Sequence, residues 1–368
     1  MKKVKVAFLL NPTRYWLGGV YYYRNLFQAL INHADIGIEP VVITRPDVDF
    51  SLFDGYPKIP FLQKTIEEPV KEFCENHQID ILSHVPVSCS KVDMPKIGWI
   101  PDFQHKYLPR FFSIEEIQAR NKEFQCLAKE CTSIIVSSYA AKRDFCDMFL
   151  EMQEKAKVLH FVVSPFSMEY TPKERKVILR KKYEIEEAFF YVPNQFWIHK
   201  NHKLLLEALL LLKKKGKKVT VISTGNTKDH RDLNYFSILK NFIIENQLEQ
   251  YFKVLGIVPY EDVQILLKES LALINPSLFE GWSTTVEEAK MFGKKMLLSD
   301  IAVHHEQVDK KAFFFSPYDA EDLAEKMQLI IGEKSADDIM TKDEIERMQR
   351  SFVESYRKIL EETMSKYK

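Results

Sequence analysis

The amino-acid sequence predicts an α/β fold of two doubly wound domains, each a parallel sheet with helices on both faces. Three observations carry this. Short apolar, β-branched runs alternate with amphipathic helical patterns along all 368 residues. The runs fall into two sets of six and are continuously apolar, as strands buried on both faces are. Between the sets, SPFSMEYTPKERK (164–176) is polar and carries two prolines, which suits a hinge.

In chain order the first domain takes its strands from VKVAFLL (4–10), PVVITR (40–45), DILSHV (80–85), IGWI (97–100), SIIVSS (133–138) and VLHFVV (158–163). The second takes FFYV (189–192), KVTVIST (218–224), FKVLGIV (252–258), LALINPS (271–277), KMLLS (295–299) and AFFFS (312–316). Stretches such as NHKLLLEALLLLKKK and YEDVQILLKES supply crossover helices. From Asp337 to Lys368 one helical pattern puts Phe352, Tyr356, Ile359 and Leu360 on a stripe that is expected to pack back across both domains. The expected boundaries are 1–164, joined by the returning helix at about 350–368, and 165–349.

Composition excludes several classes. The apolar fraction of 46% is ample for two cores, and 52 basic residues balance 52 acidic ones. Residues 1–163 alone carry 20 of each, so neither half has the cationic excess of a nucleic-acid binder. Five cysteines, none in a CxxC pair, read as thiols in a reducing compartment. The opening MKKVKVAFLLNP has no cleavage-site pattern and reads as a first strand. No uncharged apolar run approaches the ~18 residues of a membrane span, so a cytoplasmic protein is expected. LLLEALLLLKKKGKK (204–218) reads as a core helix with a solvated lysine end, and peripheral contact with the inner face of a membrane stays open as its alternative.

Ligands of open parallel sheets bind outside the carboxyl ends of the strands, and two such domains facing each other make a cleft. After the first strand, Gly18 and Gly19 open a helix, where they form either a plain turn or a close approach to an anion. After the seventh strand, PNQFWIHKNHKLLLEAL puts Lys200 just ahead of a helix, where an ammonium and helix N–H groups can share a diphosphate. His199 and His202 lack a carboxylate or cysteine to complete a metal set and read as loop-packing residues. GxGxxG, Walker, GxSxG and HExxH motifs do not occur, which disfavours nicotinamide dehydrogenases, P-loop enzymes, serine hydrolases and zinc proteases.

The tenth strand leads into SLFEGWSTTVEEAKMFGKKMLLSD (277–300). Here Glu280 follows the strand end, Thr284 or Thr285 caps a helix, Thr285 and Glu288 stand at capping-box spacing, and Gly293 ends the helix. A capping box accounts for neither Glu280 nor the Gly281–Trp282 pair after it.

The order strand, E-G-aromatic, small residues, E-A, helix, G-K, strand, S-D closely resembles the E-x7-E motif of family 4 glycosyltransferases, which have the GT-B fold. VLGIVPYEDVQILLKESLALINPS resembles that family's nucleotide-base segment, with Gly256 in its turn, and FYVPNQFWIHKNHKLLLEAL its lysine-containing diphosphate loop, which includes Asn194. The resemblance implies a retaining hexosyltransferase with an N-terminal acceptor domain and a C-terminal donor domain, both Rossmann-like. Its donor would be a UDP- or GDP-sugar and its acceptor a glycan or lipid-linked glycan of a cell-surface polysaccharide or lipopolysaccharide. It implies that Glu280 contacts hydroxyls of the donor sugar, that backbone N–H groups of Gly281, Trp282, Ser283, Thr284 and Thr285 hold sugar and diphosphate, that Glu288 bonds the ribose, and that Lys200 neutralises the leaving diphosphate. It places His105, in GWIPDFQHKYLPRFF, beside the reacting sugar, with Asp102 as the neighbouring alternative.

One departure is plain. The family's arginine a few residues before the lysine is replaced here by Pro193, Asn194 and Gln195, which leaves Arg14 and Arg231 as candidate substitutes. The DxD-like DVD (47–49) follows the second strand, far from the E-x7-E region, and reads as a loop feature, so no metal cofactor is expected. Competing readings are a GT-B sugar-nucleotide epimerase or phosphorylase and a non-catalytic two-lobed sugar-binding protein.

Overall fold

The computed structural model describes residues 3–10, 17–46, 58–164, 170–229, 231–308, 312–332 and 339–367. The chain divides into two compact units. The first comprises residues 1–106, 113–164 and 342–368; the second comprises 107–112 and 165–341.

In the first unit, β1 (Val4–Leu9), β2 (Ile38–Thr44), β3 (Phe61–Gln63), β4 (Ile81–Val85), β5 (Lys96–Ile100), β6 (Ser133–Val136) and β7 (Ala156–Val158) form a parallel sheet in the order β3-β2-β1-β4-β5-β6-β7. β3 was not predicted, because three residues ending in a glutamine carry too little pattern to register. The run VLHFVV contributes only its first residue to β7. Leu159, Phe161, Val162 and Val163 are buried all the same, so that run is apolar through burial rather than strand pairing.

In the second unit, β8 (Phe189–Val192), β9 (Thr220–Thr224), β10 (Phe252–Gly256), β11 (Leu273–Asn275), β12 (Met296–Ser299) and β13 (Ala312–Phe315) form a parallel sheet in the order β10-β9-β8-β11-β12-β13. Side chains alternate across it. Phe190 and Val192 pack into a core with Leu205, Leu209, Leu212 and Met327, while Phe189 and Tyr191 pack on the opposite face with Ile265, Leu266, Val286 and Ala289. Both faces are therefore dry, which is why each strand reads as an unbroken apolar run.

The segment expected as a hinge is helical from Pro172. Thr171 accepts from Glu174 N–H, Glu174 bonds back to Thr171 N–H, and the helix Pro172–Tyr183 follows. The apolar stripe of helix His202–Lys214 is likewise absorbed by the core, with Leu204, Leu205, Leu206, Leu209 and Leu212 all buried. Its basic end is partnered too. Lys213 donates to the carbonyls of Asn246 and Gln247 at 2.7 and 3.0 Å, and Lys218 pairs with Glu187 at 2.6 Å. No helix among the described residues is long and apolar enough to cross a membrane.

The last helix, Lys342–Tyr367, belongs to the first unit. Its buried stripe of Phe352, Val353, Tyr356, Ile359 and Leu360 contains the four residues predicted for it. Its polar residues are tied to that unit's sheet and helices. Tyr356 donates to Ser83 Oγ (2.7 Å), Arg357 to Gly37 O (2.8 Å) and Thr363 to Ser133 Oγ (2.8 Å).

Candidate functional site

In the second unit the strand order reverses between β8 and β11, which pair side by side. A doubly wound sheet leaves a crevice outside the carboxyl ends at such a switch point. The loops after these two strands carry Asn194, Lys200 and Glu280.

Lys200 closes a short turn, Ile198–Lys200, and its Nζ donates to Glu280 Oε1 at 2.6 Å. The pair is largely buried, at 16% and 8% side-chain exposure. Ser277 Oγ lies 2.6 Å from the same carboxylate oxygen and 2.6 Å from Asn275 Oδ1, so its single proton serves one acceptor at a time. Asn275, the last residue of β11, also donates to Ser283 Oγ at 2.9 Å, and Asn194 Nδ2 reaches Asn275 Oδ1 at 3.4 Å. Burial alone would raise the Glu280 carboxyl, but the Lys200 ammonium, the His304 ring and the Ser277 hydroxyl hold it below its ordinary value. Glu280 is thus an anion with one oxygen fully engaged, and among the described residues no donor reaches its other oxygen.

His304 sits behind Ser277. Its Nδ1 faces Ser299 O at 2.8 Å and so carries the proton, while Ser299 Oγ donates to Ser277 O at 2.6 Å.

The helix Thr284–Met291 starts differently from the capping box that the sequence suggests. Its N-cap is Ser283, whose hydroxyl makes no capping bond and is held by Asn275 and Thr285 Oγ1 (3.1 Å). Glu288 turns away from the helix start and accepts from Tyr260 OH at 2.6 Å. The N-cap falls two residues before Thr285, which therefore lies inside the helix, so the capping box does not form. The N–H groups that open the helix are left without a cap from Ser283, which makes them available to an anion. Gln307 fixes this start by gripping the Ser283 peptide. It accepts from Ser283 N at 3.1 Å and donates to Ser283 O at 3.0 Å and Glu287 Oε1 at 2.9 Å. Gly281 and Trp282, both partly buried, connect Glu280 to this start. Gly293 adopts φ +60° after the helix, and the N–H of Lys294 returns to Ala289 O, as predicted for its end.

Glu288 is partly buried, and loss of hydration pushes its carboxyl up to about 7 against the opposing bond from Tyr260.

Two glycines shape the loops above these strands. Gly225, after β9, has φ +143°, and a Cβ there would lie 2.5 Å from Asn194 O, so no other residue fits. Its N–H donates to Gly256 O at 2.8 Å. Gly256 ends β10 at φ +70° beside a register shift.

His199 and His202 are buried, and burial holds both rings neutral, His202 down to about 3. His202 stacks on Phe196 and His199 takes Arg231 at 3.0 Å, which makes both packing residues. Arg231 also bonds buried Asp229 (3.3 Å) and lies over the Trp197 and Phe112 rings, so its guanidinium braces the Lys200 turn. Asp229 accepts from Ile198 N–H (2.9 Å) in the same turn. No group of three or more His, Cys, Asp or Glu among the described residues could hold a metal ion.

In the first unit, Gly18 and Gly19 lie in the first turn of helix Leu17–Asn32, Gly18 exposed and Gly19 buried. Arg14 and the DVD at 47–49 lie outside the described residues. His105 is 3% exposed, and both its ring nitrogens are engaged, Nδ1 by Arg120 Nε (3.2 Å) and Nε2 by Asn121 Oδ1 (2.9 Å). Burial and the Arg120 charge lower its proton affinity against the opposing effects of Asn121 and Asp102. Arg120 in turn binds Asp102 at 2.7 Å.

Sequence reasoning missed Asn275, Ser277, Tyr260, Gly225 and Gln307. For Asn275 and Ser277 there is a signal, since they are the polar residues of an otherwise apolar strand run. For Gln307, 24 positions from Ser283, there is none.

Residues 176–347 match the family of glycosyl transferases, group 1. Among curated proteins, the chain is 25% identical over 198 residues to the O-antigen chain mannosyltransferase RfbU of Salmonella typhimurium. That stretch spans 52% of this chain and 48% of RfbU, about half the length of that relative. Among solved structures, the glycosyltransferase from Rickettsia africae superposes with TM-score 0.68 at 18% identity, covering 100% of this chain and 98% of that one. Anabaena Alr3699/HepE, solved in complex with UDP and glucose, superposes with TM-score 0.72 at 17% identity, covering 98% and 99%. The fold is that of the GT-B glycosyltransferases, two parallel-sheet Rossmann-like domains. Over residues 176–347 the chain is similar in sequence to group 1 glycosyltransferases, and over 198 residues to an O-antigen mannosyltransferase.

Proposed function

We propose that the protein is a retaining family 4 glycosyltransferase. It moves a hexose from a UDP- or GDP-sugar to a glycan or lipid-linked acceptor of a surface polysaccharide or lipopolysaccharide, working in the cytoplasm at the inner face of the membrane. The observation that carries this is the Lys200–Glu280 pair beside an uncapped helix start, with Glu288 further along the same helix. A sugar diphosphate asks for three things: a carboxylate for sugar hydroxyls, positive potential for phosphates, and an acceptor for ribose hydroxyls. HepE, with the same fold, has been solved with UDP and glucose, which supports a nucleotide-sugar donor.

In this assignment Glu280 bonds the donor sugar through the oxygen that Lys200 and Ser277 leave over. The N–H groups of Gly281, Trp282, Thr284 and Thr285 receive the diphosphate, that of Ser283 being taken by Gln307, while Glu288 receives the ribose and Gly256 and Asn194 line the nucleotide loops. In the first domain, Gly18 and Gly19 lie in the first turn of a helix whose N–H groups are a candidate for close approach to an anion. The bond from the anomeric carbon to the diphosphate oxygen breaks as the acceptor hydroxyl attacks from the same face. Its proton passes to the departing phosphate oxygen, and Lys200 and the helix start offset the charge that develops there. His105, whose ring is held by Arg120 and Asn121, is the first domain's catalytic candidate, with Asp102 as the neighbouring alternative.

A thermal-shift screen of UDP, GDP, ADP and their sugars tests the donor, and stabilisation by none of them would overturn the proposal. Lys200→Ala is expected to lower kcat at least about 100-fold, the scale of losing one charge-stabilising group. Full activity is expected in excess EDTA, and dependence on added Mn²⁺ would return the DVD carboxylates, Asp47 and Asp49, to consideration.

A further inference from the structure

Tyr260 and Glu288 meet from two helices that are 28 positions apart in sequence, and the contact is a single short bond, phenol to carboxylate Oε1 at 2.6 Å. Among the described residues no donor reaches Oε2. The groups facing this carboxylate are few. Tyr260 comes from helix Tyr260–Glu269, and Tyr191 from β8, with its hydroxyl already 2.7 Å from Thr224 Oγ1. Beyond Tyr191, Asp262 is taken up by Lys182 and Tyr183. On the same helix as Glu288, Glu287 is turned to Lys290 and Gln307. Glu288 is therefore a poorly hydrated carboxyl without a cation of its own, and its one protein donor is a phenol.

A protonated carboxyl would have to donate to one ribose hydroxyl, whereas the anion accepts from both. Whatever favours the anion thus favours nucleotide. Resting on the nucleotide-sugar reading of the site, we propose that Tyr260 is a positioning residue: its phenol holds one oxygen of Glu288 and keeps the other, as an anion, for the ribose diol of a nucleoside diphosphate. Nucleotide binding then expels a proton from Glu288, and the affinity rises with pH until the empty site is already ionised.

The test is calorimetric titration of UDP and of GDP between pH 6 and pH 9 into wild type, Tyr260→Phe, Glu288→Gln and the double variant. Wild type is expected to bind one of the two more tightly as pH rises, levelling off above about 7, where the Glu288 carboxyl titrates. Tyr260→Phe keeps the ring but loses the donor. It is expected to move the midpoint up by about one pH unit, and so to weaken binding about fivefold at pH 7 and about tenfold at pH 6. Glu288→Gln is expected to bind weakly at every pH, and adding Tyr260→Phe to it should change nothing more.

If Tyr260→Phe matches wild type in affinity and midpoint while Glu288→Gln weakens binding, Tyr260 has no such role and the site reading stands. Equal weakening by Tyr260→Phe with and without Glu288 would make it a packing residue and overturn the inference as well. Should neither nucleotide bind wild type, the nucleotide-sugar reading itself falls.

Discussion

At the scale of single residues, Gly225 and Glu280 show what a strand end demands. Gly225→Ala must place a methyl 2.5 Å from a backbone oxygen at a φ that L-residues avoid, with no flexible side chain to give way. It is expected to cost about 2–4 kcal/mol, read as a lower urea midpoint with unchanged m-value. The sequence does not reveal this glycine, because the atom that forbids a side chain belongs to Asn194, in the loop after another strand. Glu280 is the reverse case. Its position after the strand was legible and its resemblance to a family motif was plain, but its protein partners were not. Ser277 and Asn275 precede it on the same strand and loop, and Lys200 joins them only once β8 and β11 lie side by side.

At the scale of elements, the helix after Glu280 owes its geometry to a residue of another helix. Gln307→Met keeps the shape of the side chain but leaves the Ser283 N–H buried without a partner and the Ser283 carbonyl with only the Glu287 N–H. About 2 kcal/mol of stability should be lost in thermal or chemical melts, with weaker nucleoside diphosphate binding, because the helix start loosens. An unchanged affinity would show that Ser283 is held sufficiently by Asn275. The Thr285–Glu288 spacing shows the limit of local signals. A capping box is available in sequence, but the helix opens two residues earlier at Ser283, held by Asn275 and Gln307, and Glu288 is taken by Tyr260, contacts that no local pattern contains. Lysines were misleading in the same way. Lys155, Lys213 and Lys294 each donate to carbonyls at the end of a different helix, where cations are favoured. The basic run at 213–218 therefore begins with a helix cap, not with a free surface charge.

At the scale of the whole molecule, the doubly wound pattern was legible because both faces of each sheet are largely buried and the central strands are mostly apolar. The short edge strand β3 and the buried, non-strand run 159–163 were not, since burial and pairing come apart there. Several histidines share that burial. His84 and His202 are lowered to about 3, His304 to about 4, and His199 well below its ordinary value, in each case mainly by loss of hydration. Their native pKa values lie below the unfolded 6.5, so unfolding takes up protons as pH falls. The stability they contribute is complete above 6.5 and is lost progressively below it. Glu288, raised to about 7, acts in the opposite sense and offsets about one of the four. A net loss of roughly 3 kcal/mol between pH 6.5 and 5.5 is expected from urea titrations, and a flat midpoint over that range would refute it.

The helix Lys342–Tyr367 sets an order of assembly. During synthesis the first unit leaves the ribosome with a sheet that still lacks Tyr356 against Ser83, Arg357 against Gly37 and Thr363 against Ser133. The second unit, apart from residues 107–112, is one uninterrupted run and has all of its strands before that helix emerges. The half of the protein that is made first is therefore finished last. A ribosome stalled near residue 341 would carry a second unit complete in sequence and a first unit still missing its closing helix.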